Sequence, residues 1–149
     1  MKIIIVGDGK VGFTLAEHLS QEEHNVTVID TNDDALRHAS ESLDVMCVKG
    51  NGASISALKE SGVESADVLI AATSLDEINM VCCLTAKQLG AKFTIARVRN
   101  VEYAMELSHM KRELGIDLAI NPENATAVEI SRLLRFPGAA NIETFCRGR

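Results

Sequence analysis

Three glycines spaced as Gly7-Asp8-Gly9-Lys10-Val11-Gly12 follow directly on the apolar run Lys2-Ile3-Ile4-Ile5-Val6 and open a stretch with helical periodicity. Backbone N–H groups exposed at a helix start carry roughly half a positive charge, so a glycine turn there can hold an anion. Gly7 permits the tight turn, Gly9 lets the backbone approach a pyrophosphate, and Gly12 lets helix and strand pack closely. Alone the pattern is weak, but here a strand precedes it, a helix follows it, and Asp30 closes the next apolar run about 20 residues downstream. The constellation points to an adenine dinucleotide, with Gly7, Asp8, Gly9, Lys10 and Val11 along the phosphates and Asp30 on the ribose hydroxyls. A 2′-phosphate beside Asp30 would cost roughly 1 kcal/mol per charge pair in bulk water and about 4 kcal/mol at intermediate dielectric, for a separation of about 4 Å. NAD or NADH is therefore expected over NADP. The competing readings are a purely structural glycine turn and a carboxylate that merely ends a strand. Lys10 fits a phosphate contact and a solvated surface cation equally.

Three further runs also finish in polar residues. The third leads into Gly50-Asn51-Gly52, where two glycines leave room for a flat ring and the Asn51 amide can donate to and accept from an adenine edge. The fourth ends in Thr73-Ser74, whose hydroxyls and helix-start amides fall beside the first strand. The fifth carries Arg97 and Arg99, two residues apart and hence on one side of a strand. Each alone is as well explained as a turn residue, a cap or a solvated cation. Their convergence on one edge of a sheet makes the stronger case.

The elements that must position these residues are legible in the pattern. Lys2–Val6, Val26–Asp30, Val45–Val48, Asp67–Ala72, Phe93–Val98 and Ile116–Ile120 read as strands with little polar alternation, the mark of strands covered on both faces. Helical stretches separate them: Val11, Leu15 and Leu19 share one face, as do Leu36, Ala39 and Leu43. Ser74 with Glu77 suggests a capping box, Gly90 and Gly115 suggest helix ends, and Asn121-Pro122 suggests an N-cap followed by a first-turn proline. Right-handed crossovers then predict a Rossmann-like α/β fold. It is a doubly wound parallel sheet of six strands in order 3-2-1-4-5-6. Helix 122 to about 136 carries Ala127, Val128, Ile130, Leu133 and Leu134, which read as a partner surface or as a well-buried terminal helix. It stops at Phe136-Pro137-Gly138, and Asn141–Phe145 could begin another strand. The expected division is a dinucleotide-binding domain over 1–135, and over 136–149 the start of a connection to a further domain.

Composition narrows the function. The 149 residues suffice for about one domain, and 46% hydrophobic with 24% charged residues argue for a folded chain. A net charge of −6 argues against a surface that holds nucleic-acid phosphates, and 3% aromatics without Trp leave few stacking platforms for single strands. No nucleic-acid partner is expected. No long apolar window and no signal peptide are present, which leads to the expectation of a cytosolic domain. Cys47, Cys82, Cys83 and Cys146 lack metal-ligand spacing, and of the adjacent Cys82 and Cys83 one is expected to be buried. No metal is expected. His18, His24, His38 and His109 are not expected to face the site, and neither a nucleophile elbow nor a paired acid and base is present. No catalytic residue is assigned, and the expectation is not an enzyme.

These residues together resemble a known family. Met1 to Gly7 with its loop, Val28-Ile29-Asp30, Val48-Lys49-Gly50-Asn51, Ile95-Ala96-Arg97-Val98-Arg99 and Phe136-Pro137-Gly138-Ala139 all contribute. The most specific segment is Ala71-Ala72-Thr73-Ser74-Leu75-Asp76-Glu77-Ile78-Asn79-Met80. The pattern is similar to the N-terminal nucleotide-binding domains (KTN or RCK type) of TrkA-like regulatory subunits of Trk and Ktr potassium uptake systems. The resemblance implies NAD, NADH, ATP or ADP bound by Gly7 to Val11, Asp30, Thr73-Ser74 and Arg97. It also implies a homo-oligomer of dimers assembling into a ring. Such a ring would sit on the cytosolic face of the inner membrane through a TrkH-, TrkG- or KtrB-like potassium transporter subunit. Asn51 stands where Asp is more usual, and Lys10 where several relatives carry Arg, a weaker phosphate clamp. The alternatives are the cofactor-binding fragment of an NAD-dependent oxidoreductase and a methyltransferase.

Overall fold

A computed structural model describes residues 1–110 and 113–135. The elements run β1 (Lys2–Val6), α1 (Lys10–Gln21), β2 (Asn25–Asp30), α2 (Asp33–Ser42), β3 (Met46–Lys49) and α3 (Ile55–Glu60). A short 3-10 turn follows, then β4 (Val68–Ala71), α4 (Asp76–Leu89), β5 (Phe93–Arg97), α5 (Val101–Met110), β6 (Leu118–Ile120) and α6 (Pro122–Arg135). All neighbouring strands are parallel, and the sheet order is 3-2-1-4-5-6, as the element pattern predicts. Alternation along β1 feeds two cores. Ile3 and Ile5 pack with Ala16, Val26, Val28 and Leu36, while Ile4 and Val6 pack with Leu58, Val63, Leu69, Cys82 and Cys83. Burial on both faces holds for the central strands only. In the edge strands, Met46 of β3 is 49% exposed and Leu118 of β6 is 39% exposed, because each edge has a neighbour on one side alone.

Both Cys82 and Cys83 are fully buried, where only one was expected, because α4 lies against the sheet with α3 beside it. Burial pushes the Cys82 thiol up to about 12 and raises the Cys83 thiol as well, so both serve as small apolar side chains. The Ser74–Glu77 capping box does not form. The Thr73 hydroxyl takes the Leu75 N–H at 3.3 Å, the chain stays extended through Leu75, and α4 begins at Asp76 without a side-chain cap. Asn121 does cap α6, accepting the Asn124 N–H at 2.9 Å ahead of Pro122, and Gly90 ends α4 at a φ of 114°. No residue of α6 is buried, so the buried-helix reading falls: Val128 is 59% and Leu134 72% exposed within this chain. The helix stop at Phe136, the strand suggested over 141–145, Cys146 and the connection over 136–149 lie outside the described residues.

No helix among the described residues is long and apolar enough to cross a membrane. The tightest point of the fold is the first turn of α1. A Cβ on Gly12 would lie 1.8 Å from the Gly7 carbonyl oxygen, and one on Gly7 would lie 2.9 Å from the Thr73 nitrogen, at a backbone φ of +96°. Backbone at that range cannot yield as a flexible side chain can, so Gly12→Ala is expected to cost at least about 3 kcal/mol, measured by urea denaturation.

Candidate functional site

The carboxyl ends of the strands are drawn together by backbone hydrogen bonds. Gly7 N–H donates to the Ile29 carbonyl at 2.8 Å, Ala72 N–H to Val6 at 2.8 Å, and Gly50 N–H to Asp30 at 2.9 Å. Above them opens a cavity of ≈ 670 Å³, within the range of about 300–1,000 Å³ usual for ligand sites. It lies where the chain, having wound outward through β2 and β3, returns to pair β4 on the other side of β1. That reversal is the place at which ligands bind in such sheets. Gly7, Asp8, Gly9, Lys10, Val11, Asp30, Asn51, Thr73, Ser74 and Arg97 all line it.

The three loop glycines differ in purpose. Gly7 and Gly12 are required by the protein's own backbone, whereas a Cβ on Gly9 would meet nothing within 4 Å. Gly9 therefore leaves open space toward the cavity that no packing demand explains. No side chain caps the first turn of α1, and Lys10 projects from it, exposed and without an ion pair among the described residues. The glycines around Asn51 serve packing rather than a flat ring. A Cβ on Gly50 would fall 2.7 Å from the Ala57 Cβ, and one on Gly52 would fall 2.0 Å from a Val6 methyl. Asn51 itself is exposed, and its Oδ1 accepts the Ala53 N–H at 2.9 Å, which leaves its amide N–H groups for other partners.

Asp30 does the work of a turn: Oδ2 accepts the Asp8 N–H at 2.6 Å and Oδ1 the Asn32 N–H at 2.8 Å. Each oxygen keeps a further lone pair. Burial first, and the Asp30 charge second, push Asp8 up to about 6, while His38 pulls the other way. No histidine lines the cavity, but His38 comes nearer than expected, tilted against Phe13 with ring centroids 4.8 Å apart.

On the other side of the cavity a buried amide organises two loops. Asn79, with no exposed surface, accepts the Thr73 N–H at 2.9 Å and the Thr73 hydroxyl at 2.7 Å through Oδ1. Its Nδ2 donates to the carbonyls of Thr73 at 3.2 Å and Arg97 at 2.9 Å. Asp76 accepts the N–H groups of Arg99 and Asn100, each at 2.8 Å. Both residues stand in the most specific sequence segment, but their positioning role was missed. The signal was a pair of polar residues on the buried face of α4, whose other members are Cys82, Cys83 and Ala86. Arg97 and Arg99 part company: β5 ends at Arg97, which lines the cavity, donates to the Thr73 carbonyl at 3.4 Å and pairs with Glu123 of α6. Arg99 lies outside the cavity, against the Ser74 carbonyl and 3.9 Å from Asp76. No group of three metal-ligating side chains occurs among the described residues.

With strand order, reversal point and glycine turn in place, comparison with known proteins is decisive: residues 3–122 match the TrkA-N domain. The chain belongs to the TrkA-N domain family. It is 44% identical over 150 residues to the Trk system potassium uptake protein TrkA of Halomonas elongata, which covers 99% of this chain and 33% of the relative. The chain thus spans about a third of the length of the curated relatives it matches. Among solved structures, the TrkA-N domain of the inner membrane protein YbaL from Escherichia coli is similar in fold. Its TM-score is 0.78 at 24% identity, covering 89% of this chain and 96% of that one. The GsuK channel bound to NAD has a TM-score of 0.69 at 27% identity, covering 80% of this chain and 21% of that one. GsuK has also been solved bound to ADP, with a TM-score of 0.68 over 80% of this chain and 31% of that one.

Two outcomes follow for this TrkA-N domain. Asn79→Ala removes the partners of the part-buried Thr73 N–H and Arg97 carbonyl and leaves a cavity, and is expected to cost about 2–3 kcal/mol in chemical denaturation. Asp8 binds its proton more tightly folded than unfolded, so its contribution to stability falls as pH rises from about 4 through about 6 and stays lost above. Asp8→Asn should therefore stabilise the domain at about pH 8 by roughly 1 kcal/mol, allowing for solvent screening, and not at about pH 4, as thermal melts would show.

Proposed function

We propose that this domain is the nucleotide-sensing part of a cytosolic regulatory subunit of a Trk-type potassium uptake system. On this reading it binds NAD, NADH, ATP or ADP and gates a membrane potassium transporter subunit without altering the nucleotide chemically. The observation that carries the reading is the convergence of all ten signature residues on one cavity at the β1–β4 reversal, in a TrkA-N chain similar to TrkA proteins along nearly its whole length. The residues present fit an adenine nucleotide. Gly9 to Val11 would hold the phosphates at the uncapped start of α1, and Asp30 would take the ribose hydroxyls. Asn51 would meet the adenine, and Thr73, Ser74 and Arg97 the far end. The open space at Gly9, which packing does not require, supports this fit. A non-catalytic role is supported by the similarity of the chain to Trk system potassium uptake proteins TrkA.

A bound nucleotide can regulate a pore only through different affinities for two arrangements of the assembly. A tenfold preference at each site is worth about 1.4 kcal/mol, so four equivalent sites supply roughly 5–6 kcal/mol, enough to carry a two-state equilibrium from about 1:99 to 99:1. A homo-oligomer of dimers closing into a ring would multiply weak sites in this way. The side of α6 that carries Ala127, Ile130 and Leu134, all exposed, is a surface suited to such association. The subunit would lie in the cytoplasm and reach the membrane through its transporter partner.

Calorimetry with NAD, NADH, ATP and ADP tests the site. At least one is expected to bind. Gly9→Ala, whose Cβ meets no protein atom within 4 Å, should preserve the melting temperature while weakening binding at least about tenfold. Failure of all four to bind would remove the nucleotide reading. In the full-length protein with its transporter reconstituted, tight binding that leaves potassium flux unchanged would remove the gating role.

A further inference from the structure

Asp8 is the one loop residue whose side chain the nucleotide reading does not use. It stands between Gly7 and Gly9, and its own N–H is spent on Asp30 Oδ2 at 2.6 Å, so two carboxylates share the corner of the cavity above β1 and β2. Asp8 Oδ1 is shut off from solvent and has no hydrogen-bond partner among the described residues. An ionised oxygen left in that condition is unfavourable, and a proton on the carboxyl relieves it.

No neighbour supplies a neutralising ion pair. Lys10, next but one in the loop, is exposed and pairs with no carboxylate among the described residues. Lys49, across from Asp30 on β3, is held by Asp33 at 2.5 Å. His38 faces the corner from α2, where it is packed against Phe13. Cys47 faces it from β3 and donates to the Leu36 carbonyl at 3.5 Å; the Asp8 charge helps raise its thiol.

We propose that the Asp8 side chain makes ligand binding at this cavity proton-linked, admitting an anionic nucleotide more readily when it carries a proton than when it is ionised. The proposal rests on the nucleotide reading above. In the ionised form Asp8 adds a second negative charge to the corner that Asp30 already occupies, beside the turn that would hold the phosphates. In the protonated form that charge is gone, and the buried Asp8 Oδ1 no longer carries unpaired charge beside the turn. With its proton affinity raised to about 6 by burial and by Asp30, the carboxyl titrates next to the physiological range. A bound polyphosphate raises that affinity further, since it disfavours the ionised form. Binding therefore takes up protons, and affinity rises as pH falls from above the bound-state value to below the free-state value, then levels off.

The test is titration calorimetry on the full chain with NAD and with ADP-ribose, whose phosphodiesters do not ionise in this window. Measurements are made at about pH 7.5 and about pH 5.5, in buffers of differing ionisation enthalpy. The wild type is expected to bind about fivefold more tightly at the lower pH and to take up a fraction of a proton at the higher one. Asp8→Asn should bind at both values about as tightly as the wild type does at the lower pH, without proton uptake. His38→Gln should keep the slope. Firm binding with no pH dependence in the wild type would overturn the inference and leave the nucleotide reading standing. So would a slope that survives in Asp8→Asn or vanishes in His38→Gln. Absence of binding by both ligands at both pH values would overturn the inference, and the nucleotide reading falls with it when NADH, ATP and ADP also fail to bind.

Discussion

The structure depends on backbone approaching backbone at the carboxyl edge of the sheet, closer than any side chain permits. Gly12 sits under the Gly7 carbonyl, Gly7 against the Thr73 backbone, and Gly52 against a Val6 methyl. These contacts bring the end of β1, the start of α1, the loop after β3 and the loop after β4 to one place. The same closeness aims the uncapped start of α1 into the cavity, because the helix cannot tilt away without losing its seat on β1. The proposed anion site and the stability of the fold therefore draw on a single geometric condition, and of the three loop glycines only Gly9 stands outside it.

Around that condition the charge is arranged unevenly. On the β2 side the corner holds Asp8 and Asp30, while Arg97, from the end of β5, and the loop before α4 line the cavity across the sheet. The polar clamp of Asn79 and Asp76 keeps the second side in place by tying the loop after β4 to the loop after β5. Arg97 continues this link to Glu123 in the first turn of α6, so one guanidinium joins the cavity wall to the helix whose apolar side is exposed. A domain built this way has a physical route from its cavity to its outer surface, made of hydrogen bonds and one ion pair rather than apolar packing.

Much of this was legible in the residues. The glycine spacing, the apolar runs and the acid at the end of β2 imply a parallel doubly wound sheet because each is a local requirement of that fold, and periodicity reports local requirements faithfully. The helix start at Asp76 was not legible, since Ser74 and Glu77 satisfy a local capping rule that the buried Asn79 overrides by holding Thr73 extended. The burial of both Cys82 and Cys83 was hidden for a like reason: helical spacing shows which residues share a face, but not that two faces of α4 are covered.

By itself, then, the sequence determined the order and direction of the strands, the place of the glycine turn and the list of residues at the rim. These follow from backbone sterics and from the alternation of apolar with polar residues, which act over a few positions. Tertiary structure alone decided what each rim residue is free to do. It spent Asp30 on the turn, placed Arg97 in the cavity and Arg99 outside it, and gave Gly50 and Gly52 to packing. It also left Asp8 with an oxygen that no described residue satisfies. Those outcomes depend on which atoms from distant segments meet, and hydrogen-bond partners and desolvation are properties of that meeting, not of the chain read in order.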